Sequence, residues 1–192
     1  MFTEKLSRIF TVVATATLII AGTSVAFGQT APPPDTEAVN YFTNAHTGLP
    51  DGTVQITNPG TNGGNLCAMI YVFEPDQQLA ECCGCNTTPN GLRTLSINSD
   101  LTSNPLTPVT ITNGVIKIVS STGSPTCDPR AIKPAAGLRS WGTHILNSGS
   151  ITETQFLDAT LSTIEVTRLT ALCKSIYANG SGYGQCTCGT GD

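Results

Sequence analysis

Charge, aromatic rings and basic runs are all scarce in this sequence. Only 11% of the 192 residues are Asp, Glu, Lys or Arg, and the formal net charge is −4. Nucleic acids and anionic membranes are held by clustered Lys and Arg, so the absence of a basic run argues against both partners. The only tryptophan is Trp141. We expect it in the core rather than on a binding platform.

Catalytic motifs are missing as well. The chain has no Gly-x-Ser-x-Gly nucleophile motif, no pair of acids stands out, and His46 and His144 lie in no ligand-spaced pair. We therefore predict that the protein is not an enzyme and has no cofactor. A secreted hydrolase stays the least favoured alternative, and an acidic pocket beside His144 would raise it.

The local sequence also argues against a calcium site. Residues 98–104 place oxygen-bearing side chains at alternate positions, as calcium loops do. However, Ser103 stands where such a loop needs glycine, and Asp100 is the only carboxylate. We expect an ordinary polar connection here and no metal site.

The N-terminus has the pattern of a secretory signal. Lys5 and Arg8 precede Ile9–Ala21, an uncharged stretch of 13 residues, which is short of the roughly 20 that a membrane-spanning helix needs. We predict a signal peptide over residues 1–28 and no membrane span after its cleavage. The protein is then secreted, whether extracellular, periplasmic or at the cell surface.

Against these absences stand eight cysteines, all after the predicted signal. They are Cys67, Cys82, Cys83, Cys85, Cys127, Cys173, Cys186 and Cys188. An even number of cysteines in an exported chain predicts a disulfide framework, although eight allow 105 pairings.

Local geometry favours some of these pairings. If the chain turns at 74–77, Cys67 lies across from Cys83 and Cys85 and bonds with one of them. Cys173 is expected to link to the sheet or to the C-terminal tail. Cys127 has no local partner and should bridge distant segments.

The alternative is a cysteine-centred metal or small-ligand site. Cys83 with Cys85 and Cys186 with Cys188 could form a thiolate cluster, but structural zinc sites usually space paired thiols by two to four residues. Exported thiols also tend to be oxidised. This alternative therefore ranks second.

Turn residues divide the chain into strands. Strands are predicted at 53–57, 78–83, 92–97 and 140–146. Leu66–Phe73 has no charged residue and is typical of a strand covered on both faces. Asn113-Gly114 predicts a two-residue hairpin that sets Ile111 opposite Ile116 and Val109 opposite Ile118.

The C-terminal region changes to a helical period. Ser162 and Glu165 form a capping box, and Leu169, Cys173 and Ile176 follow at helical spacing, which predicts a helix over 163–178. The fold class is therefore mainly β: an antiparallel β-sandwich-like domain with one C-terminal amphipathic helix, stapled by disulfides.

Three segments make up the predicted organisation. The signal at 1–28 is followed at 29–45 by a proline-rich linker, which can include an N-terminal strand. A single disulfide-rich β domain is predicted at 46–192. The apolar patch Ala38–Phe42 could add as a strand to a neighbouring subunit's sheet edge, so self-association and other extracellular or envelope proteins are the candidate partners.

Three segments carry a resemblance: Asn65–Phe73, Glu81–Cys85 and Leu101–Pro105. They look like those of uncharacterised, cysteine-rich secreted proteins of environmental bacteria, and the similarity runs from about Asp51 to the C-terminal cysteine pair. The resemblance implies export and a shared fold, and it transfers no functional residue. The function that we expect is a non-catalytic structural or interaction role outside the cytoplasm.

Overall fold

The structure is a computed structural model that describes residues 35–123 and 125–189. The predicted signal at 1–28 and the start of the linker lie outside these residues. Within them the elements are, in chain order, β1 (Glu37–Phe42), β2 (Thr53–Thr57), β3 (Leu66–Phe73), β4 (Leu79–Thr87), β5 (Leu92–Ser96), a π-helical turn (Ile97–Leu101), β6 (Gly114–Ser121), β7 (Arg139–Ile145), β8 (Ile151–Gln155), β9 (Leu157–Ala159) and α1 (Thr163–Ala178).

The strands form two antiparallel sheets, which confirms the predicted sandwich-like fold. The five-stranded sheet has the order β4-β3-β6-β1-β9, and the four-stranded sheet has the order β5-β2-β7-β8. Strands β8 and β9 belong to different sheets and are separated only by Phe156, which is 2% exposed. The chain therefore passes from one sheet to the other over a buried aromatic ring.

Strand β3 is buried on both faces, as its uncharged sequence predicts. Ala68 and Ile70 point into the core between the sheets, whereas Met69 and Tyr71 point to the opposite face of the five-stranded sheet. All four are completely buried. The second face has its own apolar cluster, so it must also be covered.

Helix α1 provides that cover and spans the predicted residues. The Ser162 hydroxyl accepts a hydrogen bond of 3.1 Å from the Glu165 backbone N–H, which confirms the N-terminal cap. Leu169, Cys173 and Ile176 are buried in the same cluster as Met69 and Tyr71 of β3. The helix therefore lies on the outer face of the five-stranded sheet.

All eight cysteines are in disulfides: Cys67–Cys127, Cys82–Cys173, Cys83–Cys186 and Cys85–Cys188. The expected bond from Cys67 to Cys83 or Cys85 is wrong. Cys85 lies opposite Ala68, so Cys67 points to the other face of the sheet. The expected distant partner of Cys127 is confirmed, since 60 residues separate it from Cys67.

The predicted hairpin around Asn113-Gly114 is also wrong. Gly114 begins β6, whose two edges are taken by β1 and β3, and residues 109–112 form no strand. A Cβ atom at Gly114 would lie 2.2 Å from the carbonyl oxygen of Phe73. The glycine is needed here for close packing of strands instead of for a type I′ turn.

The patch Ala38–Phe42 is a strand, but its pairing corrects the intersubunit hypothesis. Strand β1 pairs with β6 along its whole length, and Glu37–Val39 also pair with β9. Phe42 is buried in the core between the sheets. The patch therefore completes its own sheet rather than a neighbour's.

Candidate binding face

The outer face of the four-stranded sheet follows from a strict alternation of side chains. On β2, Val54 and Ile56 are at most 1% exposed and face the core, whereas Thr53, Gln55 and Thr57 are partly exposed. Strand β7 alternates in the same way. The outward residues are mainly hydroxyl and amide side chains, unlike those of β3.

Pairing aligns these outward residues in rows across the sheet. The central row runs across β5, β2, β7 and β8 through Thr94, Gln55, Trp141 and Gln155. The flanking rows are Ser96, Thr53, Thr143 and Glu153 on one side and Leu92, Thr57 and Arg139 on the other. We call these eleven residues the polar face, and every one of them is partly or fully exposed.

Trp141 lies at the centre of the polar face, which corrects its expected place in the core. Its neighbours Ser140 and Gly142 take the inward positions. A Cβ at Gly142 would lie 3.1 Å from both Phe156 and Asn40, so the inward position has no room for a large side chain. The alternation of side chains within Arg139–Ile145 indicates an outward position for Trp141. The core position was predicted because the ring is large and apolar.

The polar groups beside Trp141 are available to a ligand. Among the described residues, the side-chain amides of Gln55 and Gln155 and the indole N–H of Trp141 have no hydrogen-bond partner in the structure. Each amide offers two N–H donors and one carbonyl acceptor. The central row therefore has an aromatic ring with free donors and acceptors on both sides.

One end of the polar face opens into a depression of about 490 Å³, lined in part by Thr53, Thr94, Ser96, Ser99, Asp100 and Thr187. The Asp100 carboxylate accepts a hydrogen bond of 2.8 Å from the Ser96 backbone N–H and one of 2.7 Å from the Thr187 hydroxyl. These bonds hold the wall of the depression in place.

The calcium-loop residues do not assemble a cation site. Asp100 is already engaged with Ser96 and Thr187. Across 35–123 and 125–189 no group of three or more His, Cys, Asp or Glu side chains could hold a metal. The disulfides leave no thiolate for the cysteine-centred alternative.

The two histidines do not belong to the polar face. His144 is 1% exposed, its Nε2 lies 2.6 Å from the Thr154 hydroxyl, and its ring stacks on Tyr41 at 4.1 Å. Burial lowers the pKa of His144. His46 Nε2 lies 2.9 Å from the Thr102 hydroxyl. Both histidines therefore make structural contacts.

The depression nearest His144 lacks the acid that hydrolysis would need. It has a volume of about 440 Å³, and its described lining consists of apolar, hydroxyl and amide side chains that include Tyr41, Thr154 and Leu157. None of the described residues that line it is Asp or Glu. This depression is therefore not an acidic pocket of the kind that would favour a hydrolase.

Comparison with known proteins adds no assignment, since the chain matches no protein-family model, no curated protein and no solved structure. Four disulfides are typical of oxidising compartments outside the cytoplasm. In the described part of the chain, no helix has the length and hydrophobicity needed to cross a bilayer.

Proposed function

We propose that the protein is a secreted, non-catalytic binding domain and that it binds through the polar face. One observation carries this proposal: the outward side chains of a whole sheet are left exposed, with Trp141 at their centre. A tryptophan on a rigid sheet can bury a large contact area at small entropic cost.

The rest of the molecule supports a durable binding role. The predicted signal at 1–28 and the four disulfides both favour a location outside the cytoplasm. Because His144 is buried, His46 Nε2 contacts the Thr102 hydroxyl and the cysteines are disulfide-bonded, the polar face is the best-prepared surface of the described chain. It can position a ligand, but it has no paired acid and base.

Retention on extracellular material tests this proposal. The exported, oxidised protein is mixed with washed bacterial cells and with extracted biofilm matrix, and the bound fraction is measured after centrifugation. We expect retention that Trp141→Ala abolishes. Tyr183→Ala is the matched control, because Tyr183 is an aromatic residue that is 58% exposed and lies outside the polar face.

Three results would contradict the proposal. If the protein is not retained on either material, or if Trp141→Ala is retained as well as Tyr183→Ala, the polar face is not a binding surface. Turnover of a bound polymer into soluble products would contradict the non-catalytic assignment.

A further inference from the structure

We infer that the ligand of the polar face is an uncharged, extended polysaccharide chain that crosses the strands over Trp141. This inference rests on the proposed function and names the chemical class of its ligand. The argument uses the ring, the polar groups around it, the charge of the face and its dimensions.

The chemistry of Trp141 fits a sugar ring. A pyranose has an apolar face made of C–H groups and a rim of hydroxyls, so it packs flat on an aromatic ring while its rim stays polar. Trp141 is held between Gln55 and Gln155 on the neighbouring strands. The ring therefore has an amide side chain on each of the two neighbouring strands.

The flanking side chains match the rim of such a sugar. Gln55 and Gln155 each carry donors and an acceptor that no described residue engages. A sugar hydroxyl both donates and accepts, so one amide can bind two adjacent hydroxyls. Thr94 adds a further hydroxyl at the β5 end of the same row.

The sparse charge of the polar face argues against anionic polymers. Its charged residues are Arg139 and Glu153, in opposite flanking rows, and Arg139 is paired with Asp35 at 3.1 Å. The central row has no charge at all. An uncharged surface complements an uncharged polyol, whereas a nucleic acid or an anionic polymer would require Lys and Arg.

The dimensions favour a chain rather than a single sugar. The central row crosses four strands, and three steps of about 4.8 Å give roughly 14 Å. The depression that begins at Thr94 and Thr53 continues this line beyond β5. An extended polymer can therefore contact Trp141, the amides and the depression at the same time.

Trp141 is the only tryptophan, so its fluorescence reports directly on this site. The exported, oxidised protein is titrated with cellohexaose and with chitohexaose, and sedimentation with insoluble cellulose and chitin provides a second readout. We expect a saturable change in emission with at least one hexasaccharide, and binding to the matching polymer. The two polymers distinguish a plain glucan from one with N-acetyl groups.

Variants assign the binding to the polar face. In the sedimentation assay, Trp141→Ala should weaken binding by roughly tenfold or more, because a central aromatic contact dominates such interfaces. Gln55→Ala and Gln155→Ala should each weaken it by roughly threefold to tenfold. Tyr183→Ala should leave it unchanged, and circular dichroism should show that all four variants are folded.

The outcomes separate this inference from the proposed function. If neither sugar changes the emission and neither polymer retains the protein, the polysaccharide inference is wrong. The binding role survives that result if retention on cells or matrix still depends on Trp141. If Trp141→Ala instead abolishes self-association in sedimentation velocity, the occupant is a second copy of this chain and the inference is overturned.

Discussion

The two sheets of this sandwich are built alike, yet their outer faces differ completely. On the five-stranded sheet, Met69 and Tyr71 point outward and lie under α1. On the four-stranded sheet, Thr53 and Gln55 hold the corresponding outward positions and stay partly exposed. The identity of every second residue therefore decides whether a sheet face is covered by the protein's own helix or stays partly exposed.

Contacts beyond the apolar cluster strengthen the cover of the five-stranded sheet. The Cys82–Cys173 disulfide joins β4 to α1. The Lys117 ammonium lies 2.8 Å from Glu37 and 2.7 Å from Glu165, which links the helix to β6 and β1. Among the described residues no helix or disulfide covers the centre of the polar face, so changes at Trp141 should affect binding more than stability.

The largest expected effect is the loss of the disulfide that attaches the cover. Removing it with Cys82→Ala and Cys173→Ala together should lower the free energy of unfolding by about 4 kcal/mol. The Cys83–Cys186 bond shortens the loop that the Cys82–Cys173 bond closes to roughly 15 residues, which accounts for about 3 kcal/mol, and two completely buried sulfur atoms are also lost. Urea denaturation measures this change, and hydrogen exchange should show faster opening of α1. A loss below about 1 kcal/mol would mean that the helix is held by other contacts.

A smaller loss is expected when the covering helix loses one core side chain. Leu169 is completely buried, so Leu169→Ala should lower the free energy of unfolding by about 3 kcal/mol. Ile164 is 80% exposed on the same helix, and Ile164→Ala should change it by less than about 0.5 kcal/mol. Equal effects of the two substitutions in urea denaturation would contradict the packing of the Leu169 side of α1 against the five-stranded sheet.

The five-stranded sheet also buries the carboxyl group of Glu81, which gives the stability of the protein a pH dependence. Burial raises the pKa of Glu81 to about 8, and the hydrogen bond from the Asn104 backbone N–H only partly opposes this. Between its ordinary pKa of 4.5 and about 8, the folded protein keeps a proton that the unfolded chain has released. The free energy of unfolding should therefore fall as pH rises through this window.

Glu81→Gln tests that dependence, because glutamine has no proton to lose. Urea denaturation across the window should show a decline on the order of 2 kcal/mol in the parent protein, since relaxation around the ionised group reduces the full linkage value. The variant should show no decline from this position. A decline of the same size in both proteins would assign it to other groups.

The smallest effect on stability is expected on the polar face. Trp141 is only partly buried, so Trp141→Ala should lower the free energy of unfolding by about 1 kcal/mol, which urea denaturation can resolve. Its effect on ligand binding should be much larger in proportion. If Trp141→Ala lowers the free energy of unfolding as much as Leu169→Ala does, Trp141 is a structural residue and the contrast between the two faces fails.

The elements with strong local signals were predictable from the sequence. Leu66–Phe73 could be assigned because it lacks charge, and α1 because its cap and helical period agree. The hairpin at Asn113-Gly114 failed because a local turn signal cannot reveal that a distant strand, β3, requires glycine for close approach. Long-range packing, absent from the local sequence, decided that region.

The candidate site was less predictable for the same reason. Trp141 has a large apolar ring of the kind usually found in a core. It faces outward because Phe156 and Asn40 leave no room for a large side chain at the neighbouring inward position, Gly142. Gln55 and Gln155 carry no motif and come together across three strands only after folding. The disulfide partners likewise depended on strand register, which one sequence leaves open.

The Cys85–Cys188 bond also determines how the protein bears mechanical load. A pull between residue 35 and Cys188 is carried through β1 to β4 and then across the sulfur bridge, so the covalent loop of residues 86–187 carries no tension. Strands β5, β7 and β8 lie in that loop. Of the four strands of the polar face only β2, which lies between β5 and β7, is on the loaded path, so within that sheet tension reaches the strand with Trp141 only through β2.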